Sequence, residues 1–168
     1  MGQRRYPGAT PFSKEQSRIF YGRDYDIQRL LTLVRVERKV LLYSKSGLGK
    51  TSLLEAGVIP RLPKNFVPVS IRFYAKRADS LSPVEGVLTA LENTLGKLED
   101  MPPSLLDDLE TTENERKTLW YYFKKLQLSQ VKSSEGDEEV EEPKTYFLVF
   151  DQFEELFSYS KAEIDEFK

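Results

Sequence analysis

An α/β fold with a mainly parallel sheet flanked by helices is what this sequence predicts, on three observations. Apolar residues alternate along the chain between helical and strand-like spacing. A glycine-rich stretch at residues 44–51 sits between an apolar run and a helix-forming segment. The most hydrophobic run in the chain, Tyr146, Phe147, Leu148, Val149 and Phe150, leads directly into Asp151. Alternation of this kind puts strands side by side with helices packed over them.

Residues 1–16 are basic and punctuated by proline and glycine, so they read as an extended lead-in. Ile27, Leu30, Leu31 and Val34 then fall at i, i+3, i+4 and i+7, one face of an amphipathic helix. Val40, Leu41, Leu42 and Tyr43 form a continuous apolar run, the pattern of a parallel strand buried on both faces. After the glycine stretch, residues 50–56 have helix composition, with Gly57 and Pro60 as stop signals. Residues 67–74 predict a second strand with Pro68 at its beginning. Ser82, Pro83 and Glu85 make a capping box for a helix with Val84, Val87, Leu88, Leu91, Leu95 and Leu98 on one face.

A short Leu105/Leu109 segment follows. Thr112 and Glu115 predict another capped helix, with Leu119, Tyr122, Phe123 and Leu126 as its stripe. Residues 132–143 carry six carboxylates and almost nothing to bury, which predicts a solvated, mobile loop. The strand of residues 146–150 comes next, and Ser160 with Glu163 opens a final capped helix. Residues 17–168 thus read as one domain.

Composition removes several kinds of chemistry. The 168 residues include no Cys and no His, so disulfide scaffolds, zinc fingers, thiol nucleophiles and His-dependent triads are excluded. Carboxylate, lysine, hydroxyl and backbone chemistry remain. With 25 Lys plus Arg against 27 Asp plus Glu, the net charge of −2 gives no overall pull toward nucleic acid or an anionic membrane. No apolar run approaches the roughly 18–20 residues that span a bilayer. No secretory stretch opens the chain, which makes the cytoplasm the expected compartment.

The chemistry concentrates in Ser44, Lys45, Ser46, Gly47, Leu48, Gly49, Lys50, Thr51 and Ser52. In a phosphate-binding loop, glycines let backbone N–H groups turn inward around phosphate oxygens, and the following helix aims its positive end at the same charge. Lys50 would reach the β and γ phosphates, and Thr51 would set its hydroxyl on Mg²⁺. The Walker A pattern asks for glycine where this sequence has Ser44, which is small enough to open the loop if it avoids a left-handed backbone. The plain alternative is a glycine turn with an exposed lysine. Asp151, at the end of a buried strand, is placed as a Walker B carboxylate is, to hold the Mg²⁺ shell. Glu154 and Glu155 could polarise an attacking water; otherwise they are a solvated helix face and Asp151 a helix cap.

Residues 47–62 and 150–157 resemble the conserved blocks of the novel STAND NTPases, signal-transducing P-loop ATPases related to AAA+ and NACHT modules. The first block opens on Gly47, Leu48, Gly49, Lys50 and Thr51, and the second reads Phe150, Asp151, Gln152, Phe153, Glu154, Glu155, Leu156 and Phe157. Phe20, Tyr21, Gly22, Arg23 and Asp24 are similar to the Phe-x-Gly-Arg-Glu block that precedes that domain. The resemblance spans about residues 17–160. It implies an ATP-operated switch with an AAA-like sheet, in which Lys50 holds phosphate, Thr51 and Asp151 hold Mg²⁺, and Glu154 or Glu155 polarises water. Arg23 would lie near the base or ribose, or else pair on the surface with Asp24 or Asp26.

Gln152 stands where many AAA+ ATPases place a catalytic glutamate, which implies slow hydrolysis. In AAA-like sheets a further strand lies between the Walker A and Walker B strands, and the expectation is a sequence cut short after the Walker B strand. The resemblance also implies sensor and effector domains in the complete chain and allows a homo-oligomer on activation. Two other readings stay open: a stand-alone AAA-like ATPase acting on a substrate, and a degenerate interaction module that no longer binds nucleotide. A GTPase is disfavoured because Gly does not stand three residues after Asp151.

Overall fold

The computed structural model describes residues 10–101, 112, 118–132 and 144–167. They belong to two compact units, Met1–Lys64 and Asn65–Lys168. Among the described residues no helix is long and apolar enough to cross a membrane.

In the first unit a short 3-10 turn, Lys14–Ile19, leads to helix α1, Asp24–Val36. The predicted stripe is the buried one: Ile27, Leu30 and Leu31 pack with Leu53 and Val58, and Phe20, Leu42 and Leu62 close the cluster's sides. Helix α2 begins with a single α turn, Lys50–Ser52, widens into a π turn over Leu53–Val58, and tightens into a 3-10 turn at Ile59–Arg61. Pro60 has no N–H to offer the carbonyl of Ala56, which an α ladder would require. The Arg61 guanidinium supplies the missing donors, with Nη1 3.1 Å from the Ala56 oxygen and 2.7 Å from that of Gly57.

Residues 40–43 correct the sequence expectation. They form no strand, and Leu41 and Tyr43 are more than four-fifths exposed; Leu42 alone of these four joins the core cluster. An apolar run encodes readiness to be covered, but a strand exists only when a neighbour takes its N–H and C=O groups, and none does so among the described residues.

The second unit is built on strands β1, Phe66–Arg72, and β2, Thr145–Asp151, paired in parallel from Phe66↔Thr145 to Arg72↔Asp151. The α/β expectation therefore holds as a two-stranded parallel sheet flanked by helices. Strand β1 starts two residues before Pro68. Beyond it the period is two: Val69, Ile71 and Phe73 are buried, while Ser70 and Arg72 are exposed.

Helix α3, Pro83–Leu95, and helix α4, Leu119–Lys132, cover that buried face, and Val87, Leu91, Tyr122 and Leu126 complete the core with Leu156. The α3 cap is the one the sequence predicts. Ser82 Oγ accepts from the Glu85 N–H at 3.2 Å, and the Glu85 carboxylate accepts from the Ser82 N–H at 2.8 Å. At the start of α4 the Thr118 hydroxyl accepts from the Tyr121 N–H at 3.2 Å. The predicted start at Thr112 and Glu115 lies largely outside the described residues, as do the Leu105/Leu109 segment and nearly all of the acidic loop. The Tyr122 hydroxyl donates to the Gly96 carbonyl at 2.7 Å, tying α4 to the end of α3, and burial pushes its pKa up to about 12.

Helix α5, Lys161–Phe167, is capped by Ser160 and Glu163 as expected: the Ser160 N–H donates to the Glu163 carboxylate at 3.0 Å. The Lys76 ammonium also holds that carboxylate, and the Lys76 N–H donates to the Ser158 hydroxyl at 2.7 Å.

Two expectations follow from this packing. A Cβ on Gly57 would lie 2.9 Å from Ile27 Cγ1 and 3.1 Å from Cδ1, inside the core. Gly57→Ala should therefore cost about 1–3 kcal/mol in denaturant unfolding, the usual range for overpacking. The Lys76 and then the Ser160 hydrogen bonds hold the Glu163 carboxyl down at about 2, from an ordinary 4.5. Its folded pKa is depressed, so its contribution to stability is present above the unfolded value and is lost as pH falls from about 4.5 toward 2. Thermal melts across that window should show Glu163→Gln with a shallower acid decline than the parent chain.

Candidate functional site

The glycine loop follows residues 40–43 and ends where α2 begins. Gly47 and Gly49 both take positive φ, 82° and 73°, conformations that cost an L-residue with a Cβ about 1–2 kcal/mol. Successive turns of this kind bring backbone N–H groups to one side, as in anion-binding nests. Ser44 meets the condition set by the sequence: Gln152 is the one non-glycine residue with positive φ among the described residues, so Ser44 avoids the left-handed backbone.

Two cations close on this loop. Lys50 folds back so that Nζ donates to the Ser44 carbonyl at 3.0 Å, drawing together the two ends of the turn. Arg23, just before α1, donates from Nη1 to the Leu48 carbonyl at 3.2 Å and from Nε to Asp26 at 2.6 Å. The surface pairing with Asp26 and the approach to the loop are thus both present. Ser46, Gly47 and Leu48 are exposed, whereas Thr51 is partly buried. The buried Ser52 hydroxyl accepts from the Phe12 N–H at 3.0 Å, so Ser52 fastens the lead-in to α2.

In the second unit Asp151 closes β2 with its side chain 16% exposed. One carboxylate oxygen, Oδ1, accepts from the Gln152 N–H at 3.1 Å. The other lies 3.9 Å from Arg72 Nη1. Gln152 adopts the left-handed region, φ 55° and ψ 41°, and starts the 3-10 turn Phe153–Ser158. Glu154 and Glu155 lie on that turn, Glu154 exposed and Glu155 partly buried. Arg72 was not among the residues singled out from sequence; its one signal there was its outward place in an alternating strand. Among the described residues no group of three or more carboxylates could hold a metal. Thr51 belongs to the first unit and Asp151 to the second, and each carries an oxygen donor of the hard type that Mg²⁺ takes.

A protein-family model described as Novel STAND NTPase 1 matches residues 6–168. No curated protein and no solved structure matches the chain.

Proposed function

The chain belongs to the novel STAND NTPase 1 family, and from that premise we infer that it is the ATP- and Mg²⁺-binding switch module of a signal-transducing P-loop ATPase with an AAA-like sheet. One observation carries this reading: two left-handed glycines, Gly47 and Gly49, shape the loop, and Lys50, the first residue of α2, lies across it on the Ser44 carbonyl.

Lys50 holds a neutral carbonyl, so exchanging that acceptor for phosphate oxygens adds charge assistance without breaking an ion pair. The backbone N–H groups of Ser46, Gly47, Leu48 and Gly49 would serve the same anion, and the first turn of α2 would add its dipole. Ser44 opens the loop. Ser52, whose hydroxyl serves Phe12, contributes through its backbone. Arg23, held by Asp26, stands beside Leu48 for the ribose or base. Thr51 and Asp151 are the metal-shell ligands. Mg²⁺, when bound, supplies neutralisation of phosphate charge.

Glu154 and Glu155 act only when water attacks, and Gln152, lacking a carboxylate, keeps hydrolysis slow. In the signalling setting the nucleotide holds one arrangement of the module, sensor and effector domains read it, and activated copies assemble. The cytoplasm is the compartment that fits this role.

Calorimetry on the full-length protein tests the loop. Lys50→Ala should remove most ATP affinity, because several phosphate charges lose a cation, and unchanged affinity would overturn the assignment. Ser44→Gly should preserve or improve binding, since it relaxes the turn. This titration also separates an ATPase of any kind from a degenerate module.

A second comparison divides metal binding from hydrolysis. Asp151→Ala should weaken Mg²⁺-dependent ATP binding as well as turnover. Replacing Glu154 and Glu155 with Gln should leave binding intact and slow single-turnover hydrolysis by about 10² to 10⁴. Equal turnover in both Gln variants would assign these acids to the helix surface.

A further inference from the structure

Within the first unit, the segment that runs from the lead-in to α1 is fastened to the glycine loop and its helix in three places. Phe12 gives its backbone N–H to the buried Ser52 hydroxyl at 3.0 Å. Further along, the Phe20 ring lies against Gly57, where a Cβ would meet Phe20 Cε1 at 3.4 Å. Arg23 then donates from Nη1 to the Leu48 carbonyl at 3.2 Å. The segment is also braced internally. The rings of Phe12 and Phe20 stand 5.3 Å apart, and the Ser13 N–H donates to Gln16 Oε1 at 3.0 Å where the Lys14–Ile19 turn begins.

The helix held in this way has little order of its own. Its α-helical part is the single turn Lys50–Ser52, closed by the Leu53 N–H on the Gly49 carbonyl at 2.8 Å. One turn fixes several backbone dihedrals for one hydrogen bond, so it does not persist alone. Lys50 and Thr51 are therefore aimed by what grips this turn from outside, and Phe12 grips it at Ser52. We propose that residues 12–20 are a strap whose docking is coupled to nucleotide binding at the loop, with Ser52 as the positioning residue. This rests on the ATP reading above. With the strap docked, the turn that carries Lys50 and Thr51 is already ordered; with it undocked, binding must also order the turn, which lowers affinity. The coupling is reciprocal, so a ligand that binds the docked form more tightly raises the docked population by the same factor. A pull on the strap would weaken nucleotide binding, and bound nucleotide would resist the pull.

The test uses the full-length protein. Calorimetry measures ATP affinity in saturating Mg²⁺, and hydrogen exchange measures protection of the Phe12 amide with and without ATP. Ser52→Ala should weaken ATP binding about threefold to tenfold, the range of one net hydrogen bond. In the parent chain ATP should raise Phe12 protection by a similar factor, which a merely structural role of Ser52 would not produce. Ser52→Thr keeps the hydroxyl and should keep both responses. Phe12→Ala loosens the same contact from the other side, and combined with Ser52→Ala it should lower affinity no further than the stronger single variant. Lys50→Ala should lose the ATP response yet retain the parent's protection in the absence of ATP.

Parent-like ATP affinity in Ser52→Ala, or Phe12 protection that ATP leaves unchanged, would overturn the strap while leaving the nucleotide reading intact, provided Lys50→Ala still abolishes binding. Additive losses in the double variant would overturn it as well, because Ser52 and Phe12 would then act separately. A parent chain that binds no ATP would overturn both readings.

Discussion

The second unit depends on the parallel pairing of Phe66–Arg72 with Thr145–Asp151. Parallel neighbours cannot be joined by a tight turn, so a long connection must leave β1 at Arg72 and cross back to the opposite end of the sheet, where β2 begins beside Phe66. That connection carries α3 and α4, and their apolar stripes cover the face on which Val69 and Ile71 lie. The cover is what makes two strands sufficient, since an isolated pair is marginal in water. It also fixes register. A slip of one residue would turn Val69 and Ile71 outward, each a loss of roughly 1.5–3 kcal/mol of burial, and would move Arg72 away from Asp151. The same hydrophobic burial that folds the unit therefore sets a guanidinium beside the terminal carboxylate.

In the first unit the controlling features are backbone conformations rather than a sheet. Gly47 and Gly49 take the left-handed turns, and Ser44 takes none. Gly57 lets Ile27 approach α2 closely, and Pro60 breaks the ladder where Arg61 can substitute for the missing donors. The helix behind the loop is consequently short in its α turn and wide in its π turn, yet its inner face, Leu53, Ala56 and Val58, is fully buried. The loop is thus mounted on a packed segment although most of its own residues are exposed.

Much of this was legible because it is local. The caps at Ser82 and Ser160 close within three residues, so the sequence contains both partners side by side. The α1 stripe and the β2 run are likewise patterns within one element. The loop was readable for a similar reason: Gly47, Gly49 and Lys50 state the turn conformations and the cation directly. Residues 40–43 show where local reading stops. Their composition is strand-like, but pairing depends on another segment, and no periodicity within four residues can reveal whether it is there. Arg72 with Gln152 is the same problem for a side chain, a contact across 80 positions that only the register of two strands creates. The π turn over Leu53–Val58 has no signature in the spacing of its residues.

The cations differ in what holds them, and that difference bears on how the module would respond to a ligand. Lys50 rests on a neutral carbonyl, which can be given up without stranding a charge. Arg23 is steadied by Asp26 and reaches the loop with its remaining donors, so it can keep its carboxylate partner while its other nitrogens change acceptor. Arg72 faces a carboxylate and an amide together, and displacing it would leave Asp151 in a mostly buried place with its charge less compensated. Arg23 makes the shorter carboxylate contact, 2.6 Å against 3.9 Å for Arg72, while Lys50 bonds a carbonyl.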